Sequence, residues 1–235
     1  GQHYVISGAK SYISNGGIAD FYVVIARTEA SKGACGLSAF LVDANTPGLS
    51  VHRQIDIIAP HPLAEIHFDA CRVPAQHLIG EAGEGFKVAM KTLDGGRISV
   101  AAICAGLSEH AMTVARDYAN QRVAFGKPIS KFQALGFRFA DMASQIKAME
   151  LLAYDAAYMK AAGVRCTVDA AEAKLFASEH CLQICIDAQQ VLGGNGYSKE
   201  YHVERFVRDA RIWSVAEGTG EILRMIVSGA VLAGK

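Results

Sequence analysis

The sequence lacks two features that would each indicate a particular kind of partner. Its formal net charge is +0, so it has no excess of basic residues for binding nucleic acid or an anionic membrane surface. Its longest apolar run, Ile98 to Leu107, is too short to span a bilayer. We therefore expect neither a nucleic-acid partner nor a membrane partner.

Cysteine pairing is also absent from the sequence. The six cysteines form no C-x-x-C pair and no spacing typical of a disulfide framework. This pattern fits a reducing compartment, such as a bacterial cytoplasm or the mitochondrial matrix. His180, Cys181 and Cys185 share one helical segment, but structural zinc sites use paired spacings. We therefore predict no metal site and interpret the buried cysteines as small hydrophobic residues.

The hydrophobic residues, 51% of the chain, change their period near Gly80. Before it, short β-rich runs alternate with turn residues, which predicts a small antiparallel barrel or sandwich. The predicted strands are Gln2–Ile6, Ser11–Ile13, Phe21–Ala26, Leu37–Val42, Ser50–Ile55 and Leu63–Phe68. Ser7-Gly8 is predicted to be a turn, and Asn15-Gly16-Gly17 a hairpin turn. The spacing of Leu63, Ile66 and Phe68 predicts a strand covered on both faces.

After Gly80 the apolar residues recur every three or four positions in long stripes, which is typical of helices. Long helices with short links favour an antiparallel four-helix bundle. Gly95-Gly96 is expected to interrupt the first helix. The predicted fold class is therefore α+β, with a β-domain over residues 1–79, a helical bundle over residues 80–235 and a ligand crevice between them.

Glu217 follows an apolar segment and precedes Gly218 and a second apolar helix. The apolar neighbours would partly desolvate its carboxylate and make it a stronger base. Alternatively, Glu217 is a solvated residue ahead of a helix with Thr219 as its N-cap and Glu221 in its first turn.

Two further segments allow both a functional and a structural interpretation. The run from Gln190 to Gly196 carries three glycines, more than a helix C-cap needs, so its bare backbone could face a flat or anionic ligand. It is not a dinucleotide fingerprint, because no strand precedes it. Arg122, beside Phe125 and Gly126, could be a helix-end charge or a clamp for a phosphate.

Taken in order, the motifs of this chain resemble the C-terminal two-thirds of an acyl-CoA dehydrogenase. The matching motifs are Tyr12-Ile13-Ser14-Asn15-Gly16-Gly17, Gly85-Phe86-Lys87-Val88-Ala89-Met90, Leu93-Asp94-Gly95-Gly96-Arg97-Ile98, Arg122-x-x-Phe125-Gly126-x-Pro128, Gln190-x-x-Gly193-Gly194-x-Gly196-Tyr197, Arg208-Asp209-x-Arg211 and Glu217-Gly218-Thr219. Short-chain and isobutyryl-type members are the most similar. The family's N-terminal helical domain is missing from the sequence, so we expect the chain to be part of a longer one and to hold its cofactor poorly alone.

The resemblance implies an FAD cofactor and a homo-oligomer, a dimer of dimers. It implies that Glu217 is the catalytic base, with no rival carboxylate at Gly96, and that Asp94, Arg97 and Gly218 contact the acyl-CoA. The implied FAD contacts are Tyr12, Ile13 and Ser14 at the flavin ring, Arg122, Phe125, Phe132, Gln133, Gln190, Leu192, Gly193 and Gly194 from a neighbouring subunit, and Thr219 and Glu221 in the subunit's own site.

The implied reaction is the α,β-dehydrogenation of a short or branched-chain acyl-CoA to the 2,3-enoyl-CoA. Glu217 would remove the α-proton, a hydride would pass to N5 of FAD, and an electron-transferring flavoprotein would accept the electrons. Two departures bear on the acyl pocket and the flavin wall: Ala216 stands where many relatives have Tyr, and Tyr12 where Trp is usual. The alternatives are an acyl-CoA oxidase and a catalytically silent fragment that only forms oligomers.

Overall fold

The computed structural model describes residues 2–234, apart from the side chains at 31 and 32, and it forms two compact units. The first unit runs to Thr92 and the second begins at Leu93. Residue 1, at the start of the predicted β-domain, lies outside the described residues. The predicted domain boundary at Gly80 stays a prediction. The first unit runs past Gly80 because the start of helix α1 (Gly85–Gln121) packs against the strand that contains Ser38. The approach is close: a Cβ added at Gly85 would lie 2.5 Å from the Ser38 carbonyl carbon.

The first unit consists of two three-stranded antiparallel sheets. The strands are β1 (His3–Ser14), β2 (Phe21–Arg27), β3 (Leu37–Asp43), β4 (Leu49–Gln54), β5 (Leu63–Pro74) and β6 (Leu78–Ile79). One sheet has the order β1-β5-β4 and the other β2-β3-β6. Short 3-10 helices cover Ala30–Gly36 and Ala75–His77.

One hydrophobic core joins the two sheets. Phe40 and Val42 of β3 belong to the same buried cluster as Ile66, Phe68 and other side chains of β1 and β5. Two antiparallel sheets that share a core form a sandwich. The predicted barrel or sandwich is therefore confirmed.

Two predictions about β1 and its turn are wrong. Ser7-Gly8 is not a turn, because β1 runs through it with a register shift between Ile6 and Gly8, which has a φ of 141°. The extra residue of this shift lies on β5, where Asp69 and Ala70 stand opposite Ser7. Strand β1 continues through Gly8 because glycine adopts such a conformation without the steric cost of a Cβ. Asn15 to Gly17 form a turn, but β1 and β2 lie in different sheets, so the turn closes no hairpin.

The prediction that the strand at Leu63 is covered on both faces is also wrong. Ala64, Ile66 and Phe68 alternate on one buried face of β5, while Glu65 and His67 lie on the other face and are half-buried. This is the ordinary alternation of an antiparallel strand with one solvated face.

The second unit is helical from α1 onward, apart from a short β-hairpin. Its elements are β7 (Val123–Ala124), β8 (Lys127–Pro128), α2 (Gln133–Ala161), α3 (Thr167–Leu192), α4 (Gly194–Tyr197), α5 (Val203–Arg211) and α6 (Gly220–Leu232). Helix α3 packs against α2, α5 and α6. Small buried residues such as Ala101, Cys104 and Ala177 occupy the shared core, which lets the helices approach closely. The predicted β-domain followed by a helical bundle is confirmed.

Gly95-Gly96 does not interrupt the first helix, contrary to prediction. Helix α1 continues through both residues. Instead, the lack of side chains lets other residues approach α1 closely. A Cβ added at Gly95 would lie 2.4 Å from Lys160 Nζ, and a Cβ added at Gly96 would lie 2.7 Å from Glu217 Oε2. Helix α1 is long and apolar enough to cross a membrane, but the buried core helices of soluble proteins also meet these two criteria.

Candidate active site

Glu217 lies in a strained loop between two helical segments, as its sequence context predicts. The loop follows α5 and the 3-10 helix Ile212–Ser214, and it leads into α6. Glu217 has a φ of 57° and Gly218 a φ of 99°. A residue other than glycine in the left-handed region costs on the order of 1–3 kcal/mol and persists only where its surroundings hold it. Glu217 is half-buried, so its carboxylate is partly shielded from water.

Two buried cations hold this loop. Arg97 Nε of α1 donates a hydrogen bond to the Glu217 carbonyl oxygen at 3.2 Å. Lys174 Nζ of α3 donates one to the Gly218 carbonyl oxygen at 2.8 Å. Arg97 is 3% exposed and Lys174 0% exposed. Two successive carbonyls of the loop are therefore tied to two different helices by charge-assisted hydrogen bonds.

Lys174 is a residue of this site that the sequence interpretation missed. Burial lowers its pKa, and the charge of Arg97 lowers it further, while Cys104, Glu217 and Glu179 act in the opposite direction. The available signal was its position in the apolar stripe of α3, three residues after Ala171. A lysine on a buried face is almost never left without a partner.

Asp94 joins the same group of side chains. Its Oδ1 lies 3.5 Å from Arg97 Nη1, and its Oδ2 accepts a hydrogen bond from Thr167 Oγ1 at 2.9 Å. Oδ1 is buried and has no hydrogen-bond partner among the described residues, which leaves it free to accept a bond from a bound molecule. The structure thus brings Asp94, Arg97 and Gly218 together with Glu217.

The Glu217 carboxylate rests against the bare backbone of Gly96. A Cβ at that position would lie 2.7 Å from Glu217 Oε2, which is too close for an unshifted contact. The position of the carboxylate therefore depends on a glycine at residue 96.

Thr219 and Glu221 begin α6. Thr219 occupies the N-cap position, but its side chain makes no capping hydrogen bond to the backbone. The Glu221 backbone N–H lowers the pKa of its own carboxyl, and the Thr219 hydroxyl lowers it further. Glu221 is therefore ionised at the N-terminus of this helix, where a negative charge is favoured.

Arg122 and part of the glycine-rich segment line one cavity. The cavity has a volume of about 410 Å³ and is lined by Tyr118, Arg122, Ile129, Val191, Leu192, Gly193, Gly194 and Asn195. A Cβ added at Gly193 or Gly194 would meet no atom within 4 Å, so both present bare backbone to open space. Gln190 does not line the cavity, but its carbonyl accepts a hydrogen bond from the Gly193 N–H at 3.1 Å.

Phe125 and Gly126 form the tip of the hairpin between β7 and β8. Both have positive φ values, 51° and 81°, which is the conformation of a two-residue type I′ turn. Phe125 is 95% exposed and its ring meets that of Phe132 edge-on at 6.2 Å. Gln133 is exposed at the start of α2. These predicted contact residues therefore form a projecting, largely solvent-facing surface.

Tyr12, Ile13 and Ser14 end β1 in the first unit. Tyr12 is 70% exposed with a φ of 57°. Ile13 and Ser14 line a cavity of about 510 Å³, whereas Tyr12 does not. Ser14 Oγ lies 3.0 Å from Nε2 of His61, a partner that the sequence interpretation did not identify.

The described residues contain one group with the composition of a metal site, whereas the sequence predicts no metal site and its pattern argues against one in the segment with His180, Cys181 and Cys185. The group is His52, Glu65 and His67, on β4 and β5. Cys181 and Cys185 are buried and form no disulfide.

Comparison with known proteins places these features in a family. The middle-domain model of acyl-CoA dehydrogenases matches residues 1–71, and the C-terminal-domain model matches residues 83–232. A short-chain specific acyl-CoA dehydrogenase of Megasphaera elsdenii is 46% identical over 97% of this chain and 60% of its own length. The mitochondrial isobutyryl-CoA dehydrogenase of Dictyostelium discoideum is 40% identical over 97% of this chain and 56% of its own length.

A solved structure shows the same fold. The butyryl-CoA dehydrogenase of Megasphaera elsdenii superposes with a TM-score of 0.96 and 46% identity, over 98% of this chain and 61% of that one. The present chain therefore spans about three fifths of the length of the relatives it matches.

Proposed function

Because this chain belongs to the acyl-CoA dehydrogenase family, we propose that it takes part in the flavin-dependent α,β-dehydrogenation of a short or branched-chain acyl-CoA to the 2,3-enoyl-CoA. The observation that carries the proposal is the Glu217 loop. A half-buried carboxylate is held by Arg97 and Lys174 in a conformation that would otherwise be strained. Such a preorganised base suits the removal of a proton from a weakly acidic carbon.

The cavity beside Arg122 fits the pyrophosphate of FAD. Its bare Gly193-Gly194 backbone admits close approach, and a guanidinium can bind phosphate oxygens in a bidentate manner. Phe125, Phe132, Gln133 and Gln190 would support the cofactor of a neighbouring subunit, whereas Thr219 and Glu221 would lie at the subunit's own FAD. Tyr12, Ile13 and Ser14 would lie beside its flavin ring. FAD, when bound, supplies the hydride acceptor that no side chain provides.

Glu217 takes the α-proton of the acyl-CoA. As that C–H bond breaks, negative charge develops on the thioester oxygen. The Gly218 N–H donates a hydrogen bond to that oxygen. The carbonyl of the same peptide accepts from Arg97, which polarises the peptide and makes its N–H a stronger donor.

Asp94 positions the substrate through Oδ1, which accepts no hydrogen bond from the described residues, while Thr167 donates one to the other oxygen. Arg97 compensates the charge of Asp94 at 3.5 Å, so the pair is tolerable in a buried setting. The absence of side chains at Gly95 and Gly96, together with Ala216, favours short or α-branched acyl groups.

Two partners complete the proposal. An electron-transferring flavoprotein accepts the electrons, as in the family that the chain belongs to. The working assembly is a homo-oligomer, because Arg122 and the exposed Phe125 are assigned to a neighbouring subunit's cofactor.

The proposal is tested with Glu217→Gln, which keeps the shape of the side chain and removes the base. We expect turnover of butyryl-CoA with an artificial electron acceptor to fall by at least about a hundred-fold, because a positioned acid or base contributes roughly 10²–10⁴-fold. Glu150→Gln, on the surface of α2, is the matched control and should keep full turnover. All variants are assayed with saturating FAD. Unchanged turnover in Glu217→Gln, or no turnover of any short acyl-CoA by the natural chain once it is saturated with FAD, would contradict the proposal.

A further inference from the structure

Three metal-ligating side chains meet on the face of the first sheet opposite its core. His52 lies on β4, and Glu65 and His67 lie on β5. Their ligand atoms are all within 4.8 Å of one another. His67 Nε2 lies 2.9 Å from Glu65 Oε1, and the His52 and His67 rings stack at 4.2 Å with an angle of 7° between their planes.

The backbone places these three side chains together in two ways. Glu65 and His67 are two residues apart on one strand, so they share a face. The pairing of β4 with β5 shifts register between Val51 and Arg53, which makes His52 the extra residue of a bulge. Bulges re-aim side chains. Here the bulge brings His52 onto His67, while Arg53 stands opposite Glu65.

Arg53 orients the carboxylate from the side away from the histidines. Its Nε donates to Glu65 Oε2 at 3.2 Å, which leaves Oε1 directed at His67. Arg53 and His67 thus hold the two oxygens of the Glu65 carboxylate in one orientation, the arrangement by which outer residues position a metal ligand.

We propose that His52, Glu65 and His67 bind one divalent cation of the zinc type. Two imidazole nitrogens and one carboxylate oxygen form a three-ligand set that suits Zn²⁺ and leaves a fourth position for water. Ligand atoms around a tetrahedral zinc lie about 3.3 Å apart, given metal–ligand distances of about 2.0–2.2 Å. An imidazole lone pair lies in the plane of its ring, so the two stacked rings must turn out of their parallel arrangement before both nitrogens reach that spacing around one ion.

The site has a consequence for the first unit alone. A cation held by one residue of β4 and two of β5 links adjacent strands, and it binds the folded chain in preference to the unfolded one. The chain should therefore melt at a higher temperature when the cation is bound. The inference rests only on residues of the first unit and is independent of the proposed dehydrogenation.

The test is a titration of the chelator-treated full chain with Zn²⁺, followed by calorimetry and by thermal melting. We expect one ion per chain and a higher melting temperature that EDTA reverses. His52→Ala and His67→Ala should each weaken binding by more than about tenfold, because even loss of an outer partner weakens metal sites by about 10–100-fold. Glu65→Gln keeps the shape of the ligand, and it should also weaken binding and abolish the rise in melting temperature.

Two control variants separate this site from other zinc ligands. Cys35→Ser removes the exposed cysteine, and His3→Gln removes an exposed histidine of β1; both should bind Zn²⁺ as the natural chain does. Each cluster variant must melt like the natural chain when metal is absent, which excludes misfolding. Equal affinity in the natural chain, His52→Ala and His67→Ala, or a loss of binding in Cys35→Ser instead, would overturn the proposal.

Discussion

Replacement of the buried Lys174 should change the mobility of the Glu217 loop while it hardly changes the stability of the whole chain. Lys174→Met removes the ammonium but fills a similar volume, so the Gly218 carbonyl loses its donor. Loss of that bond costs about 1–3 kcal/mol, and removal of a buried charge offsets this cost. We expect the free energy of unfolding at neutral pH to change by less than about 2 kcal/mol. Hydrogen exchange at amides 215–219 should nevertheless accelerate.

Hydrogen-exchange mass spectrometry measures this effect on the loop directly. Lys147→Met removes an exposed lysine of α2 that pairs with Glu150, so it is a matched control and should leave loop exchange unchanged. If loop exchange in Lys174→Met equals that of the natural chain, Lys174 does not hold the loop.

The same residue predicts a pH dependence of stability. Burial lowers the pKa of Lys174 from its ordinary value of 10.5. Below the lowered pKa both the folded and the unfolded chain carry the charge, and the folded chain bears the full cost of burying it. As the pH rises towards 10.5, the folded chain releases the proton first and the cost disappears. The natural chain should therefore gain stability relative to Lys174→Met over this interval, and parallel urea-unfolding profiles would contradict the assignment.

Among individual residues, the sequence predicts the position of Glu217 better than it predicts the residues that hold Glu217 in place. The apolar segment, the glycines and the following helix locate Glu217 in a break. Lys174 was not identified, because an apolar stripe does not show which of its residues reaches a loop 44 positions away. The partner of Ser14 was missed for the same reason, since His61 lies 47 positions further along the chain.

Among the secondary-structure elements, α1 offers a comparison between two helical glycines. Alanine is more favourable than glycine in a helix by about 0.5–1 kcal/mol. A Cβ at Gly106 meets no atom within 4 Å, so Gly106→Ala should gain that stability and keep its turnover. A Cβ at Gly96 would lie 2.7 Å from Glu217 Oε2 and must displace the carboxylate.

We therefore expect Gly96→Ala to fold at least as stably as the natural chain and to lose turnover of butyryl-CoA by about a hundred-fold or more. Urea unfolding and steady-state kinetics on both variants measure the two effects separately. Full turnover in Gly96→Ala would show that the carboxylate does not depend on this glycine.

The errors in element prediction share a physical cause. Glycine was interpreted as a sign of interruption at Ser7-Gly8 and at Gly95-Gly96, yet the strand and the helix continue through these residues. In both places glycine permits an unusual conformation or a close neighbour rather than a chain end. Periodicity alone does not distinguish these cases, because the neighbour comes from a distant part of the chain.

For the whole molecule, the change in hydrophobic period predicts the order of a β-domain and a helical bundle, which the structure has. It does not show that α3 packs against α2, α5 and α6, because a stripe reveals that a face is buried but not which helices cover it. Nor does it show that Arg122 and Gly193 share a cavity, since they lie 71 positions apart.

The cavity at Arg122 yields a prediction about assembly and cofactor together. If Arg122 clamps the pyrophosphate of a neighbouring subunit's FAD, Arg122→Ala removes the positive charge from the cavity while the Gly193-Gly194 backbone stays in place. We expect flavin absorbance per chain to fall and the oligomer to dissociate at higher protein concentration than before, as measured by spectroscopy and analytical ultracentrifugation on one sample. Arg116→Ala removes an exposed arginine of α1 that pairs with Asp117, and it should change neither quantity. Full flavin content in Arg122→Ala would show that Arg122 is only a charged residue at the end of a helix and does not bind the cofactor.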